Sequence, residues 1–150
     1  MALFLGTSVA KVDAKGRTSV PADFRAAVAC EAFAGVVLYH SFTGKCIEGC
    51  TYSRMEKLAD ASDSLDVFGE ERENISSLVF SDARPLSFDT AGRIVVPADL
   101  LAFAGVKDSA LFVGKGKTFQ IWERGAFDAA QKLEREKAAR ARPTLKIAGS

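Results

Sequence analysis

Along this chain, apolar residues come mostly in short strand-like runs broken by glycine-containing polar turns, with stretches of helical period in between. Residues 3–12 are largely apolar and β-compatible, which predicts a first strand ending at a turn over residues 13–16. Thr18, Ser19 and Val20 form a short extended run into Pro21. The proline holds Val20 extended and suits the first turn of a helix. Asp23 favours the same helix start through the dipole, and Phe24, Ala27 and Val28 supply an apolar stripe at helical spacing. Residues 36–39 predict the next strand, 41–45 a hairpin turn containing Gly44, and 46–50 the return strand. Thr51 or Ser53 is placed to cap a helix through Met55 and Leu58. Residues 60–79 are helix-biased, with Leu65, Phe68, Ile75, Leu78 and Val79 available to line one side, and residues 84–88 resume extended structure.

The order then repeats. Asp13-Ala-Lys-Gly16-Arg17-Thr-Ser-Val20-Pro21-Ala22-Asp23 returns as Asp89-Thr-Ala-Gly92-Arg93-Ile-Val-Val96-Pro97-Ala98-Asp99, at a constant offset of 76 residues. Residues 97–103 predict a short helix stopped by Gly105, 110–113 a strand, 114–117 a turn and 118–122 its return strand. From Gly125 the pattern is helical, with Phe127, Ala130 and Leu133 on one side, and after about Ala138 the Arg/Ala-rich end reads as frayed. Two copies of one unit in 150 residues predict a single pseudo-symmetric body of the α+β class. A half of roughly 70 residues buries too small a share of its surface to be robust alone, so the halves are expected to share a core or to oligomerise.

Composition changes this picture little. A hydrophobic fraction of 48% and a charged fraction of 26% describe a folded soluble protein. No apolar run reaches membrane-spanning length and no secretory leader is evident. Cys30, Cys46 and Cys50 make no paired disulfide framework, a usage expected of a reducing cytoplasm. Net charge is only +1, but it is segregated. Lys11, Lys15, Arg17 and Arg25 outnumber Asp13 and Asp23. Residues 132–146 carry six basic side chains against two acids, and residues 60–73 carry six acids against Arg72. Such segregation produces basic and acidic faces, and the acidic stretch reads first as a solvated helix surface.

The repeated Asp-x-x-Gly-Arg element has a physical logic. Gly16 and Gly92 allow a positive φ in a tight reversal. Asp13 and Asp89 are placed to bond backbone amides within the turn and to pair with Arg17 and Arg93 four residues on. Exposed, such a pair contributes about 1 kcal/mol at most. Orienting a guanidinium, whose planar fork suits phosphate or a guanine edge, is the better reason for it. The plainer reading is a turn whose charges only brace the fold. Repetition and the local basic excess favour a partner that is itself repetitive and two-fold symmetric, such as double-stranded DNA.

Other candidate chemistry is weaker. Gly114-Lys-Gly-Lys-Thr118 resembles the end of a phosphate-binding loop, but Leu111 stands where the full motif needs glycine, and a strand rather than a helix follows. Cys46, Cys50 and His40 fit no standard zinc spacing, so a buried pair of thiols is expected. With one histidine and no partner motif, no catalytic residue, metal or cofactor is assigned, nor any small-molecule ligand. The aromatic residues Phe4, Phe24, Phe42, Phe88, Phe112, Phe119 and Trp122 read as core or subunit-interface packing.

Leu5-Gly6, Asp13-Ala-Lys-Gly-Arg17, Val20-Pro-Ala-Asp-Phe24-Arg25, Phe80-Ser81, Phe88-Asp89-Thr-Ala-Gly92-Arg93-Ile-Val-Val-Pro97 and Phe119-Gln-Ile-Trp122 together resemble the MraZ family over about residues 3–138. These are bacterial transcriptional regulators with two tandem AbrB/SpoVT-type swapped-hairpin units. The resemblance implies units at 3–52 and 83–126, connecting helices over 53–82, and a C-terminal helix and basic tail over 127–150. It implies interleaved hairpins in a β-barrel-like core, with chains closed into a ring. It implies a non-enzymatic, cytoplasmic, nucleoid-associated regulator that binds short promoter repeats of the division and cell-wall gene cluster. Carried over by position, Arg17 and Arg93 are the DNA-binding arginines, and Asp13, Gly16, Asp89 and Gly92 organise their loops. Lys15 and Arg25 match basic positions beside the first motif, and Lys11 adds a phosphate contact. An oligomeric protein-interaction scaffold, or an antitoxin-like partner binder, is the alternative.

Three departures from the family pattern carry expectations. Ala91 stands where the first copy has Lys15, and Leu101 where it has Arg25, so the second loop is expected to be the less basic and Arg17 to outweigh Arg93. Glu48-Gly49-Cys50 replaces more apolar and aromatic residues, which implies a looser strand. The basic extension from about Ala139 lies beyond the usual core.

Overall fold

The computed structural model describes residues 3–141. The first half runs β1 (Thr7–Lys11), β2 (Arg17–Ser19), α1 (Ala22–Val28), β3 (Gly35–His40) and β4 (Ile47–Cys50). A connector follows, made of α2 (Tyr52–Asp63), α3 (Glu70–Ile75) and a π-helical turn (Ser76–Phe80). The second half repeats the order as β5 (Arg84–Ser87), β6 (Arg93–Val95), α4 (Ala98–Ala104), β7 (Ser109–Gly114) and β8 (Phe119–Trp122), and α5 (Arg124–Ala141) ends the described chain. The class is α+β, as expected, and every strand pairing is antiparallel.

The repeat is visible in the pairing itself. One sheet has the order β1-β7-β8-β4-β3-β5, and β2 and β6 form a separate two-stranded ribbon. Exchanging each strand with its repeat counterpart (β1 with β5, β3 with β7, β4 with β8) reverses the six-strand order and leaves it unchanged. A pseudo-two-fold axis therefore runs between β4 and β8, where Glu48 faces Gln120. It also runs through the ribbon, where Thr18 faces Ile94. The first strand of each half pairs with the hairpin of the other: Thr7 faces Val113 and Val36 faces Leu86. Neither half has a complete sheet of its own.

Backbone pairing among the described residues does not close into the expected barrel. β1 and β5 remain the edges of an open sheet. Each edge strand is already paired with the other half's hairpin, and the ribbon forms its own ladder instead of bridging the two edges. α5 also differs from the expectation, since it continues through Ala138 to Ala141 instead of fraying. The remainder of the basic tail lies outside the described residues.

The core explains why the halves interleave. Phe4, Phe24, Phe112 and Phe119 are buried together, with centroids 5.0 Å apart for Phe4–Phe119 and 5.5 Å for Phe24–Phe119. Val20, Ile94, Val96 and Leu100 join them from the ribbon and α4. Each such side chain contributes about 1.5–3 kcal/mol on burial, and here the contributions come from both halves at once. Val37, Cys50, Met55 and Val79 make a smaller cluster on the other face of β3. Thr51 caps α2 by accepting from the Arg54 amide at 3.1 Å, whereas the Ser53 hydroxyl donates to Glu31 at 2.9 Å. Of the aromatic residues assigned to core or subunit-interface packing, Phe42 lies outside the core of this chain, at 65% exposure.

The strand expected to be loose is well held. Cys50 is buried, Glu48 accepts from the Gln120 amide at 3.1 Å, and the Phe119 ring lies directly over Gly49. A Cβ at residue 49 would run into that ring, so glycine is required for close approach of the aromatic. Cys46 and Cys50 are both buried, and burial pushes their thiols up to about 11 and about 12. They stay protonated and unreactive at neutral pH.

Two stability changes follow. Thr18 is buried at the axis where its counterpart is Ile94, and its hydroxyl has no hydrogen-bond partner among the described residues. Thr18→Val removes an unsatisfied polar group without changing shape, and is expected to stabilise the fold by about 1 kcal/mol, read in denaturant melts. Gly49→Ala overpacks against Phe119 and is expected to cost about 1–3 kcal/mol in the same measurement.

Candidate nucleic-acid interface

The two glycine turns are built alike. In the first, the Gly16 amide donates to the Asp13 carbonyl at 3.0 Å and the Asp13 amide to the Arg17 carbonyl at 3.0 Å. In the second, Gly92 donates to Asp89 at 3.0 Å and Asp89 to Arg93 at 2.8 Å. Gly16 and Gly92 have φ of 84° and 74°, the left-handed conformation that the reversal requires.

Each aspartate organises its turn with both oxygens. Asp13 Oδ1 accepts from the Lys15 amide at 2.9 Å and the Arg17 amide at 2.8 Å, and its Oδ2 accepts from Arg17 Nε at 2.7 Å. Asp89 accepts from the Ala91 and Arg93 amides at 2.9 Å each and from Arg93 Nε at 2.8 Å. The Arg17 and Arg93 backbone amides are the largest cause holding these two carboxyls below the usual aspartate range, and the arginine side chains act in the same direction. The aspartate takes Nε, and neither terminal nitrogen of Arg17 or Arg93 makes a hydrogen bond among the described residues, so both terminal groups keep their donors for a ligand.

The ribbon sets where these forks point. Thr18 and Ile94 are buried, while Arg17 and Ser19 of β2 and Arg93 and Val95 of β6 lie on its outward face. Arg17 stands opposite Val95 and Arg93 opposite Ser19, so the arginines are diagonal neighbours on that face. Diagonal positions lie about 7–8 Å apart in a two-stranded ladder. The turns also lock each other: the Val20 amide donates to the Gly92 carbonyl at 3.2 Å, and the Val96 amide to the Gly16 carbonyl at 2.9 Å.

All the expected site residues fall in or beside this region, but one changes sides. Lys15 is exposed in the first turn, and Lys11 is exposed at the end of β1 opposite Ser109. Arg25 does not sit beside the first turn. Its Nε donates to the Val20 carbonyl at 3.1 Å, and its guanidinium lies over Gly92 in the second turn. The counterpart, Leu101, approaches Gly16 in the first turn. Sequence reasoning did not single out Ser19 and Val95 as outward neighbours of the arginines. The signal was the alternation of strand positions, since residues 17 and 19 share one face, as do 93 and 95.

His40 is engaged elsewhere. Its Nδ1 lies 2.8 Å from Asp82 Oδ2 and its Nε2 3.8 Å from Asp99, which Arg84 holds in a bidentate pair. The Arg84 hydrogen bond is the largest cause holding the Asp99 carboxyl down. Among the described residues no histidine, cysteine and carboxylate group is arranged to hold a metal, and no helix is long and apolar enough to cross a membrane.

Fold and site define a class of protein: a duplicated α+β body that presents two matched, aspartate-braced arginine turns on one face. A family model described as "MraZ protein, putative antitoxin-like" matches residues 79–146. The chain is 44% identical over 137 residues to the protein of Rickettsia bellii (strain OSU 85-389) named "Transcriptional regulator MraZ", covering 89% of this chain and 91% of that one. It is 44% identical over 144 residues to the protein of the same name in Pelagibacter ubique (strain HTCC1062), covering 96% and 93%. With that of Rickettsia canadensis (strain McKiel) it shares 43% over 141 residues, covering 91% and 95%. The chain belongs to the MraZ family.

The carboxyl shifts carry a pH consequence. A carboxyl depressed in the folded state contributes order above its unfolded value and loses it only as pH falls through the folded one. Asp13 and Asp89 are therefore expected to titrate below 3.8 by carboxyl-carbon NMR, with both carboxylates still charged and bracing their turns at neutral pH. Titration at the ordinary aspartate value would contradict the bracing role.

Proposed function

We propose that this protein is a sequence-specific, DNA-binding transcriptional regulator with no enzymatic activity. The observation that carries the reading is the outward face of the β2–β6 ribbon, where Arg17 and Arg93 each keep a terminal fork open because an aspartate holds Nε. The major groove of B-DNA admits a two-stranded ribbon, and an arginine fork suits guanine O6 and N7 or a phosphate. Ser19 and Val95, between the arginines, offer a hydroxyl and an apolar surface to the same groove. Lys11, Lys15 and Arg25 surround the ribbon as phosphate contacts. The names of the relatives support regulation of transcription.

In this reading the interleaved halves are the swapped-hairpin units of the family, and chains assemble into a ring over short promoter repeats upstream of the division and cell-wall gene cluster. One chain with few basic contacts binds weakly and with marked salt dependence. Several ribbons in one assembly gain affinity through effective concentration. Exposed apolar side chains support self-association. Leu3, Leu5 and Val9 lie on or beside the β1 edge, and Phe42 and Leu78 line a cleft with Ile75. A ring-forming regulator of this kind acts in the cytoplasm, on the nucleoid.

Arg17→Ala is expected to weaken binding to the DNA upstream of its own gene about tenfold or more at physiological salt. The assembly mass should not change, because the Arg17 side chain lies on the outward face of the ribbon, opposite the buried Thr18. A gel shift against a scrambled duplex, with mass measurement of the free protein, tests both. Equal binding by variant and parent would overturn the assignment.

A further inference from the structure

The two turns differ in their own cations. The first carries Lys15 and Arg17, whereas the second carries Arg93 with Ala91 at the lysine position. Space reverses what sequence suggests. Arg25, in α1 of the first half, crosses the pseudo-two-fold axis and lies against Gly92, close enough that a Cβ there would collide with its guanidinium and Cδ. Its stem is fixed by the Nε bond to the Val20 carbonyl. Val20 in turn donates to the Gly92 carbonyl, so Arg25 and the second turn share one hydrogen-bonded junction. Arg25 is exposed, no other hydrogen bond or ion pair of it occurs among the described residues, and its guanidinium lies against the glycine that immediately precedes Arg93. At the equivalent place over Gly16 stands Leu101, which brings no charge.

We propose that Arg25 is the second cation of the second turn. Each turn then offers DNA one aspartate-braced arginine and one further cation, and both further cations come from the first half, Lys15 on its own turn and Arg25 on the turn of the other half. Lys15 is a mobile point charge on the first turn, whereas Arg25 is a fork fixed from behind on the second. The two turns of one chain are thus comparable in charge but unlike in geometry, and both engage the duplex. This inference rests on the DNA-binding reading above.

The test is a pair of double-mutant cycles on the full chain, using the duplex upstream of its own gene over a range of salt. Arg25→Leu, which copies the residue of the other half, is expected to weaken binding about three- to tenfold and to lower the salt slope by about 1 per engaged turn. Combined with Arg93→Ala it should cost clearly less than the product of the single effects, and combined with Arg17→Ala the effects should multiply. Ala91→Lys, which puts a cation where the first turn has Lys15, should restore affinity to Arg25→Leu. Arg25→Lys should keep most of the salt slope, and an unchanged melting temperature and mass certify the fold. Coupling to Arg17 instead of Arg93, multiplication in both cycles, or an unaltered slope in folded Arg25→Leu would overturn the proposal. If Arg17→Ala binds as the parent does while the Arg25–Arg93 coupling persists, the assignment of the first turn and the engagement of both turns fail, and the place of Arg25 as the second cation of the second turn stands. If the parent does not distinguish the duplex from a scrambled one, both fall.

Discussion

The structure depends on three residues of one half lying antiparallel to three of the other. In the pairing of Arg17–Ser19 with Arg93–Val95, strand alternation sends Thr18 and Ile94 into the core and turns the two arginines out on the same face. One ladder therefore seals the interior and presents the charged surface. A register slip of a single residue would exchange the two faces, burying guanidinium groups and exposing the centre of the core. The hydrogen bonds from Val20 to Gly92 and from Val96 to Gly16 fix the register from both ends. Pro21 and Pro97 then start α1 and α4, which deliver Phe24 and Leu100 to the core beneath the ribbon.

The charged parts of the turns are arranged so that each does one job. The carboxylate neutralises part of its arginine and stiffens the turn, yet it occupies the one nitrogen that points back along the side chain. An exposed ion pair of this kind contributes little to stability. What it contributes is direction: a guanidinium held by Nε has its recognition edge aimed before any ligand arrives. Preorganised charge of this kind lowers the ordering cost of binding.

Much of this was legible in the sequence, because the carriers were local. The turn glycines, the Asp–Arg spacing of four, the prolines before short helices and the 76-residue offset all act within a few residues, and each predicted element has its counterpart in the fold. What was not legible depended on the axis. Arg25 is adjacent to the first motif in sequence and to the second in space, since interleaving carries α1 across. Gly49 looked like a weakness until Phe119, from the other half, was placed over it. Phe42 was readable as core or as subunit interface, and its exposure in the single chain leaves only the second. Ser19 and Val95 were hidden only because the ribbon's facing was unknown. The misplacement of Arg25 and the misreading of Gly49 are both relations between halves, which no local pattern contains.

Interleaving also shapes how the chain is made. Thr7 must wait for Val113 and Lys11 for Ser109, so the first strand leaves the ribosome about a hundred residues before its neighbour exists. At about 5–20 residues per second, that leaves an adhesive edge unsatisfied for roughly 5–20 seconds. During that interval a sister chain on the same message carries the same missing strand. Newly made copies are thus exposed to exchanging halves with one another before either has finished, and the exposed Val9 on that edge does nothing to discourage it.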